Sequence, residues 1–215
     1  MKTALLTGFQ AFGNYAVNNT EVLACSLAGR TICGHAIHSL VFSADIFPPD
    51  GQDYGRRIVS TAMSLRASVI ISFGLASEAR GVRIESRATN WVQNPRYCQP
   101  HENERRIVES LPKEEARRID LARWDLDRLR QQLGSQGIPF EPTTSENANN
   151  YCCNALMFRT LLAMQYLWCQ IPYIFLHVAC TAAAAASIPD FDSKKVIISE
   201  RQLENVVSIL LDSYR

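Results

Sequence analysis

Val69-Ile70-Ile71-Ser72-Phe73, stopped by Gly74, is a run of β-branched and aromatic residues with almost nothing polar to turn toward water. Such a run reads as a buried strand, and a strand covered on both faces needs helices above and below it. Tyr173 to Val178 is a second run of this kind. Thr3 to Thr7, ended by Gly8, is a third, and Ala36 to Phe42 is a looser fourth. Helical periodicity lies between them: Thr20 to Leu27, Tyr54 to Leu65, Leu126 to Leu133, Asn154 to Leu167 and Glu200 to Tyr214. Ile138-Pro139-Phe140 fits a short strand. The alternation predicts an α/β fold, a three-layer α/β/α sandwich with a mostly parallel twisted sheet, as a single domain over 1–215. From Leu75 to about Leu111 the periodicity is lost, and this Arg-, Asn- and Pro-rich stretch is expected to be a long loop.

Composition narrows the function. With 215 residues and 47% hydrophobic content, the chain can bury one sizeable core. Twenty-two basic and 21 acidic residues leave a net charge of +1, so neither nucleic acid nor an acidic membrane is an expected partner. No apolar stretch is long enough to span a bilayer, and the apolar start ends at Thr7-Gly8, too soon for a secretory signal. A cytoplasmic location is therefore expected. The seven cysteines are odd in number and contain no Cys-x-x-Cys pair, and the four histidines lack zinc spacing, so reduced thiols and no metal are expected.

The chemistry centres on Cys153-Asn154. Here a polar stretch, Glu146 to Asn150, gives way to a helix, while His177 lies inside the strand Tyr173 to Val178. A thiol at a helix N-terminus is acidified by the helix dipole, and a nearby imidazole can take its proton. Cys152 competes for the nucleophile's role, and a histidine in an apolar strand also fits a satisfied core residue. Glu85 could orient the imidazole as a third member, or could be a surface carboxylate paired with Arg83 or Arg87. Gly8 to Asn14 has phosphate-loop glycine spacing but no following Lys-Ser/Thr, so Phe9 and Phe12 read either as pocket walls or as cover for the sheet end.

Together these segments resemble the pyroglutamyl peptidase I family (pyrrolidone-carboxylate peptidases, the C15 cysteine peptidases). Thr7-Gly8-Phe9-Gln10-Ala11-Phe12-Gly13 is similar to the family's Thr-Gly-Phe-x-Pro-Phe-Gly. Glu85-x-x-Ala88-x-Asn90 matches the segment of its catalytic Glu. Ser145 to Asn154 resembles the block ending in Tyr/Phe-x-Cys-Asn, and Phe175-Leu176-His177-Val178 the block with its catalytic His. The resemblance implies an α/β/α sandwich and a cysteine peptidase. That peptidase would cleave after an N-terminal pyroglutamyl residue with a Cys153–His177–Glu85 triad and no cofactor or metal, usually as a homo-oligomer acting on peptides or small amides. It further implies that Phe9, Phe12 and Tyr151 line the lactam pocket. The main chain at Leu75 and Cys152 would pair with the lactam, Asn18 would support the first loop, and Arg96 would lie near the oxyanion. The chain departs from the pattern at Ala11, at Asn19, at Ser86 after the catalytic Glu, at Asn149, at Asn94 to Pro100 and at Ala182 to Ala186. These departures lie in the substrate shell and keep open a divergent amidase with another small N-acyl substrate, or a non-catalytic binding homologue.

Overall fold

Each apolar run of the sequence becomes a strand of one seven-stranded sheet. The computed structural model describes residues 1–13, 15–45, 47, 51–93, 103–141, 151–188, 191–192, 195 and 197–214. The strands are β1 (Lys2–Phe9), β2 (Thr31–Ile32), β3 (His35–Phe42), β4 (Val69–Leu75), β5 (Val82–Glu85), β6 (Arg87–Thr89), β7 (Ala116–Arg118), β8 (Phe140–Glu141) and β9 (Tyr173–Val178). The helices are α1 (Asn19–Leu27), α2 (Tyr54–Ser64), α3 (Leu126–Ser135), α4 (Cys152–Tyr166), α5 (Ala182–Ala186) and α6 (Glu200–Ser213). The main sheet has the order β2-β3-β1-β4-β9-β5-β8, and β6 and β7 form a separate pair. β3, β1, β4 and β9 run parallel, whereas β5 runs against β9 and β2 against β3.

The period-two alternation of the strands divides the core between two faces. Leu6, Ile71, Phe73, Ile84, Ile174 and Leu176 face the apolar stripes of α1, α3 and α6. Leu5, Ile70, Tyr173 and Phe175 face α2 and α4. The expected three-layer sandwich is thus present. Among the described residues no helix is long and apolar enough to cross a membrane. Cys25, Cys33, Cys152, Cys153, Cys169 and Cys180 are free thiols, and Cys98 lies outside the described residues.

The stretch after Leu75 differs from the expected loop. It contains β5 and β6, so Glu85 stands in a sheet rather than on a loop. These strands are only 4 and 3 residues long and carry Arg83, Glu85 and Arg87, too few apolar positions to make a period visible. The helix starts follow local chemistry. Asn18, Asp53, Asp125, Thr181 and Ser199 each accept a hydrogen bond from a first-turn N–H, capping α1, α2, α3, α5 and α6. α4 begins after Tyr151, whose side chain makes no capping hydrogen bond.

Candidate active site

His177 points toward α4 from a sheet row of unusual composition. In the register, its neighbour on β4 is Gly74 and its neighbour on β5 is Arg83. Cross-strand neighbours share a face, and so do residues two apart in one strand. Arg83, Glu85, Phe175 and His177 therefore all project toward α4. The His177 ring stands edge-on to Phe175, with centroids 5.3 Å apart. His177 Nδ1 lies 2.6 Å from Glu85 Oε1. A carboxylate can only accept, so Nδ1 carries the proton and Nε2 faces away from Glu85. Arg83 Nη2 also lies 3.3 Å from Nδ1, but the shorter carboxylate contact sets the tautomer.

Nε2 is buried and has no hydrogen-bond partner among the described residues. What stands beside it is Cys153. A Cβ built on Gly74 would come within 2.7 Å of Cys153 Sγ, 3.0 Å of His177 Cδ2 and 3.1 Å of His177 Nε2. Sulfur and ring thus share the space above Gly74, which only a residue without a side chain leaves open. Cys153 sits in the first turn of α4, 5% exposed, and His177 is 1% exposed. Glu85, at 2%, is no surface carboxylate. Hydrogen bonds between catalytic groups are often long before substrate binds.

The electrostatics follow from these contacts. For Cys153 the largest influence is the Cys152 thiol, with Sγ atoms 4.0 Å apart. Burial opposes it, the charge on His177 adds to it, and the Cys153 thiol is brought down to about 6. Burial pulls the His177 imidazole down, but the negative charge of Cys153 beside it and the hydrogen bond and charge of Glu85 outweigh it and raise it to about 9. Burial pushes the Glu85 carboxyl up, yet its hydrogen bond to His177 and the charges of His177 and Arg83 hold it below its usual range. Burial, then Cys153, keeps the Cys152 thiol well above its ordinary value, so it remains protonated and able to donate to its neighbour. Between the two values the pair titrates as a thiolate and an imidazolium.

The remaining expected residues surround this centre. Phe9 is buried at the end of β1, in the apolar cluster that also holds Cys152 and Cys153. The Phe12 ring lies 5.1 Å from that of Tyr15 and 6.3 Å from that of Tyr151. Leu75 follows Gly74 and packs with Tyr15, Cys180, Ala184 and Ala185. Asn18 accepts from Thr20 and donates to the Gln10 carbonyl, fixing the first loop to α1. Arg96 and the 145–150 part of the nucleophile segment lie outside the described residues. Two residues that the sequence reading gave no role in the site are structurally prominent. Asn154 donates to the carbonyls of Thr89 and Trp91 and accepts from Thr89 N–H, lashing α4 to β6. Arg83 touches both Glu85 and His177. The spacing Arg83-x-Glu85 was a usable signal, because two residues apart in a strand is one face.

Comparison with known proteins identifies the family and the fold. The family model described as pyroglutamyl peptidase matches residues 2–207. The pyrrolidone-carboxylate peptidase of Oceanobacillus iheyensis is 25% identical over 213 residues, covering 98% of this chain and 100% of that one. That of Halalkalibacterium halodurans is 26% identical over 194 residues, covering 88% and 91%. Among solved structures, pyrrolidone carboxyl peptidase from Thermococcus litoralis has a TM-score of 0.79 at 20% identity, covering 99% of this chain and 92% of its own. A mutant pyrrolidone carboxyl peptidase from the hyperthermophile Pyrococcus furiosus has a TM-score of 0.78 at 19% identity, covering 99% and 97%. These structural likenesses carry the fold.

Proposed function

The chain belongs to the pyroglutamyl peptidase family of cysteine exopeptidases, and from that premise we propose that it removes an N-terminal pyroglutamyl residue through a Cys153–His177–Glu85 triad and an acyl-enzyme. The observation that carries this reading is the placement of His177, with Nδ1 on Glu85 and a bare Nε2 beside Cys153.

The Cys153 thiolate attacks the scissile carbonyl carbon. The oxyanion forms at the start of α4, where the Tyr151 side chain makes no capping hydrogen bond, and first-turn N–H groups receive it. His177, protonated at Nε2, gives that proton to the leaving amine as the C–N bond breaks, and a thioester on Cys153 remains. The neutral imidazole then takes a proton from water, whose oxygen attacks the thioester and frees pyroglutamate and the thiolate. Glu85 holds the tautomer throughout. Phe12 and Tyr151, with Phe9 behind them, supply apolar walls for the lactam ring. Main chain at Leu75 and Cys152 pairs with its N–H and C=O, and Arg96 assists the oxyanion. The enzyme works in the cytoplasm as a homo-oligomer and needs no cofactor.

A second reading, an amidase for another small N-acyl group, is favoured by the apolar cluster of Leu75, Tyr15, Cys180, Ala184 and Ala185 beyond the strand ends. A chromogenic pyroglutamyl amide, assayed beside a panel of N-acyl amides, separates the two. Turnover of the pyroglutamyl compound, lost in Cys153→Ala, supports the first reading. Preference for another acyl group, also lost in Cys153→Ala, selects the second. Lactam binding without turnover of any amide contradicts both.

A further inference from the structure

Glu85 has a problem that the triad alone does not solve. It is a carboxylate buried to 2% exposure, and its hydrogen-bonded cation, His177, must lose its charge during turnover. In the acyl-enzyme the thiolate is consumed and the imidazole is neutral. A buried carboxylate without a cation then takes up a proton, and a protonated Glu85 no longer fixes the Nδ1–H tautomer. The structure places a permanent cation at this point. Arg83 Nε donates to Glu85 Oε1 at 2.8 Å, the same oxygen that faces His177. The Arg83 side chain is 18% exposed, so solvent screens it only in part. Its Nη1 lies 3.7 Å from Glu141 Oε2, and Glu141 Oε1 accepts the Arg80 backbone N–H at 2.9 Å. Arg83 pairs in register with His177 on one side and with Glu141 on the other, so the sheet itself aims the guanidinium. A planar fork suits this bridging in a way an ammonium does not.

We propose that Arg83 is a positioning residue of the catalytic centre, keeping Glu85 ionised and its Oε1 turned toward His177 while the imidazole cycles between charged and neutral forms. The inference rests on the triad reading. Among the described residues, the charged and titratable groups around the imidazole and Cys153 are Arg83 and Glu85 on β5, Glu141 on β8, Cys152 on α4 and Tyr173 on β9. Gly74 on β4 brings none. Removing one positive charge from this set raises the pKa of every neighbour, so both limbs of the pH profile move the same way.

The test uses the full chain with Arg83→Gln and Arg83→Lys, a chromogenic pyroglutamyl amide, and iodoacetamide alkylation of Cys153 across pH. For Arg83→Gln, kcat is expected to fall about tenfold or more without a rise in KM. The alkylation midpoint and both limbs of kcat/KM should move up by about one pH unit. Arg83→Lys should keep the limbs in place and recover only part of kcat. An Arg83→Gln enzyme with native kcat and unmoved limbs overturns the proposal and leaves the triad standing. A wild-type Cys153 that titrates as an ordinary thiol overturns the triad and this proposal with it. If Arg83→Gln does not fold, native kcat in Arg83→Lys overturns it, because lysine retains the charge but cannot span Glu85 and Glu141.

Discussion

Two atoms without ordinary surroundings define the centre: a histidine nitrogen buried with no partner among the described residues, and a sulfur resting where a side chain would otherwise be. Their coupling predicts the pH dependence. Below about 6 Cys153 gains a proton and stops attacking, and above about 9 His177 loses the proton that the leaving amine needs. The profile of kcat/KM should therefore be a bell between those values, and one that still climbs past the upper value contradicts the ion pair. The shared space gives a second prediction. In Gly74→Ala the new methyl meets Cys153 Sγ at 2.7 Å and the His177 ring at 3.0 Å, and the side chains can yield only by separating. The fold should survive with a loss of about 1–3 kcal/mol. Turnover should fall about 100-fold, as for an ångström-scale misplacement of reacting groups. Native activity in this variant would show that sulfur and ring need not meet over Gly74.

At the scale of elements, the centre depends on how α4 is tied to the strands it crosses. Asn154 makes three hydrogen bonds from the first turn of α4 to the backbone of Thr89 and Trp91. Asn154→Ala should cost about 3 kcal/mol, read as a lower urea midpoint, since each bond contributes about 1 kcal/mol and backbone groups are left unpaired. Activity should fall more than stability below the transition, because the nucleophile's helix shifts against β5 and β6. Loss of stability alone, with kcat intact, would make Asn154 a simple fastening. These same elements mark the limit of what the sequence makes legible. Val69–Phe73 and Tyr173–Val178 announce themselves because strands covered on both faces contain hardly any polar residues. Cys153 stands out as a thiol where a polar stretch gives way to a helix, and His177 as an imidazole inside an apolar strand. β5 carries Arg83 and Glu85 on one face, and those charges erase the apolar signal of the strand. α5 is five alanines, too short to show a helical period. The contacts of Arg83 and the close approach at Gly74 depend on which strand lies beside β9, and no local pattern specifies that.

For the whole molecule, the sheet separates stability from chemistry. The face packed against α1, α3 and α6 is apolar packing, whereas Glu85 and His177 on the other face, with Cys153 on α4, make up the proposed triad. Leu210 of α6, fully buried on the first face, tests this division. Leu210→Ala should lower stability by about 3 kcal/mol and leave kcat unchanged below the transition. A parallel loss of kcat would show that the two faces are coupled. Identity to the Oceanobacillus iheyensis relative is 25%. The central claim is that segments distant along the chain converge to make one thiol anionic. Iodoacetamide labelling of the native protein near neutral pH, mapped by mass spectrometry, tests it most directly. Cys153 is expected to react first, with a midpoint near 6, ahead of the far more exposed Cys25 and Cys33. First reaction at either exposed thiol, with Cys153 inert until alkaline pH, would contradict it.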